Sequence, residues 1–310
     1  MKSRMEVSIA GVTLKNPVMD ASGTFGNGRE YEELIGPEAL RMLGAIVTKG
    51  VSGQPWEGNA TPRVAETPSG MLNAIGLQNP GIDVFVRREL PFLKEVKESS
   101  GTRVIVNVCG HSVEEYLSVI ERLHDEPVDL LEINVSCPNV KQGAIAFGQD
   151  PKMLERVTRA VKDRAGQPVM MKLTPNVTDI RELARAAEAG GADAISLINT
   201  LTGMKIDVHR RRFVLANRTG GLSGPAIHPV AVRMVYEAAH AVSLPVIGMG
   251  GIQSWEDAVE MILAGATAVA VGTATFHNPQ AMQQIIRGIE EYLELSGVAD
   301  VNELIGAVKD

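Results

Sequence analysis

Eight short runs of apolar, largely β-branched residues recur along the chain, and they constrain its fold more than any other feature. They are PVMDAS (17–22), AIVTKG (45–50), RVIVNV (103–108), DLLEINV (129–135), PVMMKL (168–173), DAISLI (193–198), PVIGMG (245–250) and AVAVGT (268–273). Runs that are apolar at successive positions suit strands buried on both faces. Between most of them lie stretches of helical period. Ser112-Val113-Glu114-Glu115 reads as a capping box that opens a helix to about Leu123. Asp150-Pro151 places a capping side chain before a proline at the first helical position, opening a helix to about Ala165. A third helix runs from Ile180 to Ala189 and stops at Gly190-Gly191, Ser254-Trp255-Glu256-Asp257 opens a fourth, and Asn278-Pro279 opens the last. Eight parallel strands with helices between them predict a (β/α)8 barrel of the TIM type. A doubly wound open sheet has the same periodicity, and the count of eight favours the barrel. VSIAGVTL reads as an N-terminal hairpin turning at Ala10-Gly11, placed at the barrel bottom. With 310 residues, no linker and no low-complexity tract, residues 1–310 read as one domain.

Two connections are too long to be simple turns, one from Gly50 to Gly81 after the second strand and one from Asn199 to about Pro229 after the sixth. Both follow strand C-terminal ends, where barrel active sites are built, and long loops in compact domains are usually functional. The strand ends deliver polar groups to that face: Asp20 and Ser22, then Lys49 and Gly50, Asn107, Asn134, Lys172, and Asn199 with Thr200. The seventh and eighth runs end on Gly248, Gly250 and Gly251, and on Gly272 and Thr273. Loops in those two places, with a helix N-terminus beside them, form the usual barrel phosphate site, so MGGIQSWED and VGTATF point to a bound phosphate.

Two lysines at apolar strand ends are costly to bury without a partner, and an anionic ligand explains both. Three amides, Asn107, Asn134 and Asn199, suit a flat heterocycle with carbonyl and N–H groups. Asn73, in MLNAIGLQNPG, is placed to close over the top. Of the two cysteines, Cys109 reads as buried and inert, whereas Cys137 follows the fourth strand in a polar, proline-broken loop. A thiol tuned near neutrality makes Cys137 the candidate general base. Two cysteines are too few for a four-thiolate cluster or a disulfide framework, and no metal site is expected. The net charge of −7 gives no nucleic-acid footprint. The densest basic run, His209-Arg210-Arg211-Arg212, reads as a solvated loop. No signal peptide or membrane span is evident, so a cytoplasmic location is expected.

Taken together, NVSCPNVKQGAIAFG, VMDASGTFG, AIVTKGV, MLNAIGLQNPG, VMMKLTPN, SLINT, GGLSGPAIHP, IGMGGI and VGTATF resemble the FMN-dependent dihydroorotate dehydrogenases, in order from about residue 7 to the C-terminus. VKQGAIAFGQDP and the serine of GGLSGP incline the resemblance to the catalytic subunit of the NAD-dependent class 1B enzymes. Cys137 and the short N-terminus argue against the membrane-associated class 2. The resemblance implies that Ser22, Lys49, Gly50, Asn107, Asn134, Lys172, Ile198, Gly224, Gly250, Gly251, Gly272 and Thr273 contact FMN. It implies that Lys49, Asn73, Ala74, Ile75, Gly76, Leu77, Asn134, Asn199 and Thr200 hold dihydroorotate or orotate. It makes Cys137 the base that takes a proton while the neighbouring carbon gives hydride to the flavin, in the pyrimidine (UMP) pathway. Lys172 would stabilise the reduced flavin, and Lys49 would neutralise the substrate carboxylate. Cys109 and His111 depart from the expected pattern.

No G-x-G-x-x-G opens a helix after a strand. If electrons go to NAD, a second polypeptide must relay them. In class 1B that partner carries FAD and a [2Fe–2S] cluster, in a heterotetramer built on a dimer of catalytic subunits. The alternatives are a class 1A-like enzyme that uses fumarate without a partner, and a flavin-free phosphate-binding isomerase barrel. The latter would need paired strand-end carboxylates, which the runs do not show.

Overall fold

The computed structural model describes residues 4–135 and 148–309. Eight parallel strands close into a barrel: β1 (Val18–Asp20), β2 (Ala45–Val47), β3 (Arg103–Val108), β4 (Leu130–Asn134), β5 (Val169–Lys172), β6 (Ala194–Leu197), β7 (Val246–Met249) and β8 (Ala268–Val271). They follow one another around the barrel in chain order, and β6 pairs with both β5 and β7. The runs are mostly apolar because helices cover their outer face while layered side chains fill the interior.

Helices close each unit: α1 (Arg29–Ile35), α2 (Leu90–Ser100), α3 (Val113–Leu123), α4 (Pro151–Lys162), α5 (Ile180–Ala189), α6 (His228–Ala239), α7 (Trp255–Leu263) and α8 (Ala281–Leu295). Their starts follow local side-chain chemistry. Asp150 accepts the Met153 N–H at 2.7 Å, with Pro151 at the first helical position. Ser254 and Asp257 form a reciprocal capping box. The box expected at Ser112 is only half formed: Ser112 accepts the Glu115 N–H, but the Glu115 carboxylate takes the His111 N–H at 2.7 Å. α4 ends three residues earlier than its period suggested. α8 begins at Ala281, because Asn278 turns back to accept the Gln280 N–H.

The N-terminal strands Val7–Ile9 and Val12–Leu14 pair antiparallel around Ala10 and Gly11, both at positive φ. They bury Val7, Ile9 and Leu14 in the main core. Arg103, the first residue of β3, donates to the Thr13 carbonyl, which puts the hairpin at the barrel bottom. The two long connections do not wander separately. Strands Leu201–Met204, Thr219–Ser223, Gly70–Asn73 and Val64–Thr67 pair in that spatial order as one antiparallel sheet. Loop length alone does not reveal this pairing, because the partners lie about 150 residues apart in sequence.

Candidate active site at the barrel mouth

The site begins inside the barrel. Glu132, in the middle of β4, points inward on the same face as Asn134 two residues on, as strand alternation requires. It is 1% exposed. Its Oε2 accepts from Asn107 Nδ2 at 2.6 Å and from Lys172 Nζ at 3.3 Å, and its Oε1 accepts from Ser196 Oγ at 2.7 Å. One carboxylate thus gathers side chains from β3, β5 and β6. Asp20, at the end of β1, accepts the Val47 N–H at 2.8 Å through Oδ1. Its Oδ2 is buried without a hydrogen-bond partner among the described residues. Burial pushes the Asp20 carboxyl up to about 8, opposed by its backbone hydrogen bonds and reinforced by the Glu132 charge. Asn107 Oδ1 is likewise buried and unpartnered among the described residues.

Lys49 lies just past β2. Burial lowers its pKa from the ordinary lysine value; Cys109 acts against this, while Lys172 and Arg63 add to it. Two ammonium groups therefore feel each other at one mouth. A Cβ on Gly50 would stand 3.1 Å from Asn107 Oδ1, 3.4 Å from Cys109 Sγ and 3.7 Å from Leu77 Cδ2. Cys109 is buried, as expected, but it sits beside Gly50 and Lys49 rather than away from the site. Ser22 Oγ donates to the Thr48 carbonyl at 2.7 Å and ties the first two strand ends together. His111 stacks on Trp56 at 4.0 Å between ring centroids, outside the network of charged groups.

The loop sheet delivers the remaining groups. Asn73 pairs with Gly221 in register, and a Cβ on Gly221 would fall 1.9 Å from Thr200 Oγ1, so glycine is required there. After Asn73, Ala74 donates its N–H to the Arg63 carbonyl, Ile75 accepts from the Asn59 N–H, Gly76 takes a positive φ against the Asn59 side chain, and Leu77 follows at φ 54°. This run returns to the barrel mouth at Leu77, beside Gly50. Asn199 Nδ2 donates to Asn134 Oδ1 at 3.4 Å, while Asn199 Oδ1 accepts the Thr200 N–H at 2.8 Å.

Opposite the lysines lie the glycines. Ile198 is buried; the Leu197–Ile198 peptide is cis, and the Ile198 N–H reaches the Met249 carbonyl. Gly224, Gly250 and Gly251 all have positive φ, and a Cβ on Gly251 would lie 2.8 Å from the Gly224 carbonyl oxygen. The sixth and seventh connections thus meet backbone to backbone. Gly272 follows β8 and leaves a would-be Cβ only ordinary contacts with Ala21 and Thr24, and Thr273 opens a short turn of helix, Ala274–His277. The helix N-terminus after β7 is partly taken up by its own cap. The Asp257 carboxylate takes the N–H groups of Gln253 and Ser254, and Ser254 takes that of Asp257.

Sequence reasoning missed three residues. Glu132 is a lone charge inside DLLEINV, which is its only sequence signal. Ser196 is masked by the ordinary look of DAISLI. His228 braces the glycine rim: its Nδ1 lies 2.9 Å from the Gly250 carbonyl oxygen and its Nε2 lies 3.1 Å from Glu260 Oε2. Cys137 lies outside the described residues. The groups present fit a flavin: an orphaned buried amide oxygen, paired lysines, an amide pair and a bare-backbone rim suited to a phosphate.

Comparisons with known proteins agree with this architecture. The family model for dihydroorotate dehydrogenase matches residues 4–293. The chain is 64% identical over 303 residues to the protein named dihydroorotate dehydrogenase B (NAD(+)), catalytic subunit, of Lachnoclostridium phytofermentans, covering 98% of this chain and 99% of that protein. It is 58% identical over 307 residues to the protein of the same name in Alkaliphilus metalliredigens, covering 99% of each. It is 56% identical over 308 residues to that of Geotalea uraniireducens, again covering 99% of each.

Proposed function

The chain belongs to the dihydroorotate dehydrogenase family, and from that premise we propose that it oxidises (S)-dihydroorotate to orotate in pyrimidine biosynthesis, as the catalytic subunit of an NAD-dependent enzyme. The observation that carries this reading is the convergence of Lys49, Lys172, Asn107, Asn134 and Asn199 on one mouth, opposite a rim of backbone glycines. When bound, FMN supplies a ring that accepts two electrons as hydride.

The chain's own residues do the rest. The glycine rim of Gly224, Gly250, Gly251, Gly272 and Thr273 holds the phosphate through backbone N–H groups. Ser22, Gly50 and Ile198 would line the flavin ring, and Asn107 Oδ1, buried without a partner among the described residues, would accept from it. Lys172 would face the edge of the ring and supply a positive charge that favours its reduced form. Lys49 neutralises the substrate carboxylate, its lowered pKa reflecting a dry site that an anion completes. Asn134 and Asn199 hold the flat ring with their amides, while Asn73, Ala74, Ile75, Gly76, Leu77 and Thr200 cover it. Cys137, three residues past β4 in the sequence, removes the proton from the carbon beside the ring carbonyl.

Electrons leave through a partner subunit carrying FAD and a [2Fe–2S] cluster, on a homodimer core within a heterotetramer, and the assembly works in the cytoplasm. The word "subunit" in the relatives' names supports a partner. The test is an anaerobic visible spectrum of the purified chain before and after dihydroorotate, beside a Cys137→Ala variant. The flavin band should bleach in the wild type and barely in the variant. A band that does not bleach in the wild type would mean that the substrate is wrong.

A further inference from the structure

We propose that Glu132 is a positioning residue for flavin reduction: it is the counter-ion that holds the Lys172 ammonium aimed at the barrel mouth. The proposal rests on the reading above that Lys172 faces the flavin. Its ground is the geometry of the carboxylate. Glu132 stands on β4 and takes donors from β3, β5 and β6, with Asn107 at 2.6 Å, Lys172 at 3.3 Å and Ser196 at 2.7 Å. Two of those donors are the side chains read as cofactor contacts, so one buried group sets the aim of both.

The charges make the role specific. Lys172 is 5% exposed, so water does little to solvate its ammonium, and a carboxylate must supply the counter-charge. Lys49 is a second ammonium at the same mouth, and the two charges repel each other. Asp20 is the other acid within electrostatic reach, and burial keeps it protonated at neutral pH. Among the described residues, only Glu132 makes an ion pair with Lys172. Without it, no carboxylate holds the ammonium against the repulsion of Lys49, and Lys172 is free to swing away from the place where it would favour the electron-rich reduced ring.

A glutamine fits the same space. Its amide oxygen can accept from Asn107 and Lys172, and its NH2 can donate to the Ser196 hydroxyl, so Glu132→Gln removes the charge and leaves the network satisfied. The experiment measures the midpoint potential of the bound flavin by reductive titration against a reference dye. Every variant is made in an Asp20→Asn background, so that Asp20 cannot ionise in place of Glu132. Adding E132Q should lower the potential, and adding Lys172→Met should lower it too. E132Q added to K172M should then cause no further drop, because there is no ammonium left to hold. Ser196→Ala disturbs the same network while leaving both charges, and should leave the potential in place. An unchanged potential in E132Q, an equal drop with Lys172 already replaced, or an equal drop in S196A would overturn the proposal. If E132Q does not load flavin, Glu132→Asp is read in its place. A smaller drop that vanishes in K172M supports the proposal, and no drop overturns it. A wild-type chain that binds no flavin even after reconstitution defeats the underlying functional reading instead.

Discussion

Four ionisable side chains from four strand ends or interiors meet inside this barrel: Asp20, Lys49, Glu132 and Lys172. Burial penalises every charge among them, and the arrangement survives because Glu132 and Lys172 pair while Asp20 stays neutral. That neutrality has a measurable consequence. Asp20 titrates at about 8 when folded against an ordinary value of 3.8, so between these values the folded chain alone holds the proton. Stability therefore falls as pH rises through that window, by about 1.4 kcal/mol for each pH unit. An asparagine mimics the protonated acid and keeps the acceptor for the Val47 N–H. Chemical denaturation of Asp20→Asn across pH 5–9 should show a flatter profile than the wild type, with the variant the more stable chain at the alkaline end. Equal slopes for the two proteins would mean that Asp20 is ionised in the folded state.

At the scale of elements, the decisive feature is the sheet built from two loops. Its hydrogen bonds set Asn73 beside Gly221, and Gly221 is pressed on Thr200. Gly221→Ala forces a Cβ into the Thr200 hydroxyl and must displace one strand or the other. Lys49, Lys172, Gly250, Gly251, Gly272 and Thr273 follow or end barrel strands outside that sheet, and only Gly224 of the rim adjoins one of its strands. The expected outcome is a rise in the KM for dihydroorotate of roughly tenfold or more, with flavin content unchanged. Steady-state kinetics beside the flavin-to-protein absorbance ratio would check it, and loss of flavin together with substrate affinity would contradict it.

For the whole molecule, the question is where the electrons go. The loop sheet continues into a small hairpin, Ile206–Asp207 with Arg212–Phe213, that exposes Met204, Ile206, Val208 and Phe213 beside a solvated basic run. Exposed apolar side chains gathered in one projecting hairpin suit a chain that works inside an assembly. None of the described helices is long and apolar enough to cross a membrane. On the reading given above, the chain alone reduces its flavin with dihydroorotate but passes electrons to NAD slowly. Stopped-flow reduction followed by NADH absorbance should show a fast first step and a second slower by orders of magnitude. Rapid NADH formation by this chain alone would remove the need for a partner.

The eight-strand barrel, the N-terminal hairpin and the starts of α3, α4, α5 and α7 were legible in the sequence, because periodicity and capping are local properties. So was the polar set near the strand ends, since Lys49, Asn107, Asn134, Lys172 and Asn199 each stand within one residue of the end of a run. What each of these meets is a tertiary property. Glu132 shows in sequence only as an odd charge in an apolar strand, and barrel closure makes it the common partner of three strands. The half-formed box at Ser112 and the self-capped start of α7 depend on where neighbouring N–H groups point. The loop sheet depends on pairing between segments about 150 residues apart. A sequence specifies which groups arrive at a barrel's mouth; closure of the sheet determines which of them are near enough to share a proton or a charge.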